Sequence, residues 1–214
     1  MSDLRITEIF YSLQGEARTV GLPTVFVRLT GCPLRCAYCD TEYAFSGGEM
    51  KSISEIVSTV STFSPRYVTV TGGEPLAQKN CWPLLKALCD QGYTVSLETS
   101  GAMDIAEVDE RVSVVLDLKT PGSGELSKNL YGNIELLKKK DQLKFVLCDK
   151  QDYDWAAFKL AEYDLSNRAG EVLFSASHEQ LDAAVLADWI VTDNLPVRLQ
   201  IQLHKYLWGE KQGV

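Results

Sequence analysis

Three cysteines crowd one short stretch, Gly31-Cys32-Pro33-Leu34-Arg35-Cys36-Ala37-Tyr38-Cys39-Asp40-Thr41, at a C-x3-C-x2-C spacing. Such a loop could hold zinc, but structural zinc normally takes four protein ligands, and no fourth is obvious nearby. Three thiolates suit a cubane iron–sulfur cluster better. A closed ferredoxin cluster takes four cysteines, so three leave one iron open to something else. An incompletely ligated cluster is a place for chemistry.

Other polar signatures stand just after short apolar runs: Thr71-Gly72-Gly73-Glu74-Pro75, Glu98-Thr99-Ser100-Gly101, Asp117-Leu118-Lys119-Thr120 and Phe174-Ser175. Each alone is ordinary turn chemistry. Arg28 interrupts an apolar strand just before Cys32. A charge there is costly to bury unpaired, so it is either a salt bridge or an anion anchor. Gln14 and Glu16 flank Gly15 in a turn-forming sequence and can point polar groups from it.

The elements that must carry these residues alternate. Strand patterns cover Ile6–Ser12, Thr24–Leu29, Arg66–Val70, Tyr93–Leu97, Val112–Leu116, Leu143–Leu147, Val172–Phe174 and Pro196–Leu203. Helical patterns fall between them. Ser52 with Glu55 forms a capping box before Ile56, Val57 and Val60. Leu84, Leu85 and Leu88 mark a helix stopping near Gly92, residues 131–140 and 151–165 read as helical, and Ser177 with Gln180 resembles a second capping box. Residues 42–50 and 120–129 read as loops. Strands alternating with helices imply parallel strands joined by right-handed crossovers. About six parallel strands in 214 residues fall short of an eightfold barrel, which needs roughly 250 residues. The expectation is one α/β domain over 1–214, an incomplete TIM-like barrel with an N-terminal extension. In parallel α/β folds ligands bind at strand C-termini, so the polar signatures would meet on one rim.

Composition narrows the partners. A net charge of −8 and a pI of about 4.9 disfavour nucleic acid. The basic run Lys138-Lys139-Lys140 suits the end of a helix. Apolar runs are far below membrane-span length, and the polar start Ser2-Asp3-Leu4-Arg5 offers no signal region. A soluble cytoplasmic protein without a membrane is expected. Six cysteines allow three disulfides in principle, but the crowded loop argues against them. Cys81, Cys89 and Cys148 read as small core residues.

Cys32-x3-Cys36-Ala37-Tyr38-Cys39 together with Gly72-Gly73-Glu74-Pro75 resembles the radical S-adenosylmethionine superfamily. The likeness goes further. Leu13-Gln14-Gly15-Glu16, Phe26-Val27-Arg28-Leu29-Thr30-Gly31-Cys32, Cys39-Asp40-Thr41, Glu98-Thr99-Ser100-Gly101 and Gln202-Leu203-His204-Lys205-Tyr206 are similar to the 7-carboxy-7-deazaguanine synthase family. That family acts in queuosine and 7-deazapurine biosynthesis. The resemblance implies a carbon–nitrogen lyase that converts 6-carboxy-5,6,7,8-tetrahydropterin to 7-carboxy-7-deazaguanine with loss of ammonia. It also implies a [4Fe-4S] cluster, S-adenosylmethionine, Mg2+, an electron donor such as a flavodoxin, and a homodimer.

Site roles follow from the same resemblance. Cys32, Cys36 and Cys39 would hold the cluster, and Thr41 would offer its hydroxyl to magnesium. Tyr38, Cys39, Asp40, Gly73 and Glu74 would meet S-adenosylmethionine, joined by Ser100, Asp117, Lys119 and Ser175. Leu13, Gln14 and Gly15 would lie against the pterin, with Arg28, Thr71 and the terminal carboxylate of Val214. Glu16 and His204 are the candidates for moving protons. One departure is visible: the family loop often reads Gln-Gly-Glu-Gly, whereas Ala17 follows Glu16 here, and a positive φ there would strain it. A glycyl-radical activating enzyme and a non-catalytic metal-binding module are the competing readings.

Overall fold

β-branched and aromatic residues alternate across nine short segments, and these segments pair into one sheet in the computed structural model, which describes residues 3–209 and 211–214. Ser2 of the polar start lies outside them. The strands are β1 (Asp3–Leu13), β2 (Pro23–Leu29), β3 (Glu49–Ser52), β4 (Tyr67–Gly72), β5 (Thr94–Thr99), β6 (Ser113–Asp117), β7 (Gln142–Leu147), β8 (Glu171–Ala176) and β9 (Arg198–Gln200). Their order is β3-β1-β2-β4-β5-β6-β7-β8-β9. From β2 through β9 every neighbouring pair in that order is parallel, giving seven parallel strands rather than six. β1 is antiparallel to both β2 and β3. The fold is the expected partial barrel with an N-terminal extension.

The helices are α1 (Ile53–Ser61), α2 (Cys81–Asp90), α3 (Lys150–Glu162), α4 (Leu165–Arg168), α5 (Ala183–Thr192) and α6 (Leu203–Trp208). The Ser52–Glu55 capping box starts α1. The period of two decides which way each strand faces. Val68 and Val70 of β4, Val95 and Leu97 of β5, Val114 and Leu116 of β6, and Leu143, Phe145 and Leu147 of β7 belong to the core cluster with Leu84, Leu85 and Leu160 of the helices. The alternate residues face the barrel interior, and many are polar: Thr69 and Thr71, Ser96 and Glu98, Lys144. The Thr69 and Ser96 hydroxyls bond each other there at 2.8 Å.

Several elements differ from expectation. Residues 42–50 hold a 3-10 turn, Glu42–Phe45, and the start of edge strand β3, because β1 extends far enough to pair with it. The 131–140 segment is only a 3-10 helix, Tyr131–Leu136. The lysine run therefore caps no α-helix; Lys140 instead pairs with Asp141 at 2.8 Å and donates to the Val112 carbonyl. The 151–165 helix breaks at Asp164, whose φ is +48°, into α3 and α4. Ser177 and Gln180 do bond each other, but α5 starts later, with the Asp182 carboxylate accepting from the Ala184 N–H. The last strand shortens to Arg198–Gln200. Cys81 and Cys89 are core residues as expected, whereas Cys148 is half-buried. Among the described residues no helix is long and apolar enough to cross a membrane.

The segment after β1 places the site. It runs from β1 across the interior to the far strands. Gln14 Nε2 donates to Thr69 Oγ1 and Glu98 Oε1 at 3.1 and 3.2 Å. The Ala17 N–H donates to Gln200 Oε1 at 2.7 Å, and the Arg18 N–H donates to Gln142 Oε1 at 3.0 Å. Ala17 adopts φ +62°, the left-handed region that glycine would occupy at less cost.

Candidate active site

The polar strand ends and the segment after β1 enclose one cavity of about 440 Å³. The cysteine loop forms one wall. Cys32, Cys36 and Cys39 are free thiols, each half-buried, and all three line the cavity. Burial holds each thiol above its ordinary range, with the Lys119 ammonium pulling the other way. Among the described residues no three His, Cys, Asp or Glu side chains converge as ligands of one ion. A cubane spreads its thiolates over separate irons, so the thiols need a common face rather than a common point.

Gly73 sits against this loop. A Cβ there would fall 2.5 Å from the Gly31 carbonyl oxygen and 2.6 Å from Cys32 Cβ. Only glycine lets β4 end so close to the cysteines. Two buried polar atoms on the same side have no partner among the described residues: Tyr38 OH and Asp117 Oδ1. Buried polar groups are normally satisfied, and both residues line the cavity. Asp117 Oδ2 is held by Lys119 Nζ at 3.0 Å. Soft thiolates on one face, close backbone approach and orphaned polar atoms fit a cluster with a polar organic ligand beside it.

The rest of the lining is charged differently. Arg28 stands opposite Glu8 in the β1–β2 register and their side chains pair at 2.7 Å, while Tyr43 OH donates to the same Glu8 oxygen at 2.8 Å. Arg28 also lines the cavity beside Thr71, its register neighbour on β4. The salt-bridge and cavity readings of Arg28 therefore coexist. Glu16 Oε2 lies 2.8 Å from Lys144 Nζ, and Glu16 Oε1 accepts from Gln202 Nε2 at 3.1 Å. Burial pushes the Glu16 carboxyl up, but Lys144 together with His204 and Gln202 outweighs it and holds it below the usual range. Burial pulls the His204 imidazole down against the carboxylates of Glu16 and Asp40, which favours its neutral form. Thr41 Oγ1 donates to Asp40 Oδ1 at 2.7 Å; against burial, this bond and the charges of Lys205, His204 and Lys144 together hold Asp40 low.

Most residues singled out from the sequence meet here. Leu13, Gln14, Gly15, Glu16, Arg28 and Thr71 line the cavity with His204 and Val214. Tyr38, Asp40, Thr41, Gly73, Ser100, Asp117 and Lys119 line it beside the cysteines. Two do not. Glu74 is fully enclosed and turned to the protein: its carboxylate accepts from the Leu76 N–H, the Ser100 N–H and the Thr99 and Ser100 hydroxyls. It braces the ends of β4 and β5. Ser175 is buried in β8 beside its register neighbour Val146, which lines the cavity, but does not line it itself; Ser177, two residues on, does.

Glu98, Lys144 and Gln202 line the cavity and were given no role from sequence. Glu98 accepts from Gln14 Nε2 and from Thr71 Oγ1 at 3.3 Å, and burial holds its carboxyl above the ordinary range. The signal was the period of two: Ser96 with Glu98, and Gln142 with Lys144, put polar groups on the face opposite the core residues.

This cavity on this partial barrel defines a radical S-adenosylmethionine protein, and the sequence model of the Radical SAM superfamily matches residues 26–123. The chain belongs to the 7-carboxy-7-deazaguanine synthase family. It is 42% identical to the 7-carboxy-7-deazaguanine synthase of Chlorobaculum tepidum, over 99% of this chain and 97% of that one. The synthase of Koribacter versatilis is 41% identical over 99% of this chain and all (100%) of its own length. In fold, the chain is similar to the crystal structure of QueE from Escherichia coli, with a TM-score of 0.78 at 22% identity, covering 95% of this chain and 96% of that one. Family membership displaces the activating-enzyme and bare metal-module readings.

Proposed function

We propose that the chain is a carbon–nitrogen lyase converting 6-carboxy-5,6,7,8-tetrahydropterin to 7-carboxy-7-deazaguanine with loss of ammonia, in queuosine and other 7-deazapurine biosynthesis. The observation that carries this reading is one cavity lined both by Cys32, Cys36 and Cys39 and by Gln14, Arg28, Glu98 and His204. When bound, a [4Fe-4S] cluster and S-adenosylmethionine supply the one-electron chemistry that starts hydrogen abstraction.

The chain's own residues hold and orient. The three thiolates hold the cluster. Gly73 admits the S-adenosylmethionine amino acid portion, and the unpartnered Tyr38 OH and Asp117 Oδ1 offer it polar contacts, with Asp40, Ser100 and Lys119 alongside. Leu13, Gln14 and Gly15 form the bed for the pterin. A pterin presents donors along its aminopyrimidinone edge, which the Glu98 carboxyl complements. Arg28 supplies positive charge for the substrate carboxylate, beside Thr71, with Val214 at the rim. Thr41 provides a hard oxygen for magnesium, whose remaining sites go to substrate and water. Glu16 and neutral His204 are the groups in place to exchange protons during ammonia loss. The enclosing walls keep water from reactive species. An electron donor such as a flavodoxin and assembly as a homodimer complete the proposal.

Anaerobic reconstitution with iron and sulfide should give a brown, absorbing protein, and Cys32→Ala should abolish that absorption whereas Cys81→Ala should not. Addition of S-adenosylmethionine, reductant, magnesium and 6-carboxytetrahydropterin should then yield 7-carboxy-7-deazaguanine. Accumulation of 5′-deoxyadenosine without any deazapurine would count against this reading.

A further inference from the structure

We infer that Lys144, a residue outside every motif of the chain, is the positioning residue that holds the Glu16 carboxylate in place against the pterin. The inference rests on the reading of this end of the cavity as the pterin site. Lys144 sits in the middle of β7, where Leu143 and Phe145 on either side face the helices and Lys144 faces the barrel interior. An ammonium in such a place is unfavourable unless it is paired and hydrogen-bonded. Its Nζ lies 2.8 Å from Glu16 Oε2 and 3.7 Å from Asp117 Oδ2. The Asp117 contact follows from the sheet, because Asp117 and Lys144 are register neighbours on β6 and β7. The Glu16 contact does not, since it joins residues 128 apart in sequence.

The two carboxylates depend on Lys144 unequally. Asp117 Oδ2 already has Lys119 Nζ at 3.0 Å. Glu16 has Lys144, and among the described residues neutral amide donors, Gln200 Nε2 at 3.2 Å and Gln202 Nε2 at 3.1 Å. The other titratable groups facing Glu16 are Glu98 from β5 and His204 from α6, while Arg28 from β2 acts on Glu98. Glu98 opposes the Glu16 charge and His204 is held toward neutrality. Loss of Lys144 therefore falls on Glu16, and through it on the pterin end, while Asp117 keeps its lysine at the cofactor end.

The test is an anaerobic equilibrium titration of the reconstituted holoenzyme with 6-carboxytetrahydropterin, in the presence of S-adenosylmethionine and magnesium. Lys144→Met should weaken pterin affinity about tenfold and leave S-adenosylmethionine affinity within about twofold. In a Glu16→Gln background the same change should cost little, because the group it acts through is gone. Lys144→Arg should recover part of the affinity. The acid limb of pterin binding should move to higher pH in Lys144→Met, since Glu16 without its ammonium takes up a proton more readily. If Lys144→Met is insoluble, Lys144→Gln against Lys144→Arg makes the same comparison. Equal losses with Glu16 present or replaced would overturn the inference. So would an equal fall in affinity for both ligands, which marks general collapse of the barrel. A wild-type holoenzyme that binds S-adenosylmethionine but no pterin would overturn the inference together with the site reading.

Discussion

Gly15 and His204 share one space: a Cβ on Gly15 would fall 2.2 Å from His204 Nδ1 and 3.0 Å from Cγ. The Leu203 N–H donates to the Gly15 carbonyl at 3.0 Å, so α6 is bound to the segment after β1 at this point. Glycine is required here by close approach; the imidazole occupies the volume a side chain would need. Gly15→Ala should push His204 out of the cavity and destabilise the fold by about 1–3 kcal/mol. Adding His204→Ala should restore most of that stability without restoring activity. Thermal unfolding of the two single variants and the double variant would measure this.

Glu98 gives a signed pH dependence. Burial raises its folded carboxyl above the ordinary value, so the folded state is favoured while Glu98 is protonated and loses that advantage as pH rises through the folded pKa. Glu98→Gln imitates the protonated form. It should match the parent below about pH 4, where carboxyls are protonated in both states. At mildly alkaline pH it should be more stable by on the order of 1 kcal/mol. Chemical denaturation at a series of pH values reads the difference, and equal stability at every pH would contradict it.

Glu74 should behave as a brace. Glu74→Ala strands the Leu76 and Ser100 N–H groups and the Thr99 and Ser100 hydroxyls in a buried site. Loss of a buried, fully bonded carboxylate should cost about 3 kcal/mol or more. Glu74→Gln, which keeps one acceptor, should cost less. Urea denaturation distinguishes the two.

Thr41→Ala should reduce stimulation of product formation by magnesium while leaving the visible absorption of the cluster intact. Thr41 lines the cavity next to Cys39 but carries no thiolate, so the two readouts should separate. Product formation that depends on magnesium to the same extent as the parent would remove Thr41 from that role.

Much of the site could be read from local spacing. The cysteine loop, the Gly72-Gly73-Glu74 turn and the Arg28 interruption each stand next to a strand end, and a parallel sheet gathers strand ends on one rim. Ala17 was flagged from its departure in sequence, and its φ of +62° bears out the strained backbone. Other placements were not legible, because spacing does not state direction. Glu74 belongs to the right motif but turns inward to bind Ser100 and Leu76, and Ser175 is buried beside the lining residue Val146 without itself reaching the cavity. Helix limits drifted where backbone conformation overrode pattern, as at Asp164.

By itself the sequence determined the class of chemistry, the succession of the main parallel strands, and which strand faces are apolar, because these depend on residue types a few positions apart. The tertiary structure alone decided what fills the barrel. Gln14 meets Thr69 and Glu98, Glu16 meets Lys144, and Gly15 meets His204 only once the sheet has curled and the segment after β1 has crossed it. Those partners lie tens to hundreds of residues apart, and no local period encodes a contact at that separation. Burial then makes them matter: inside the barrel a charge or a glycine is defined by the neighbour that closes on it.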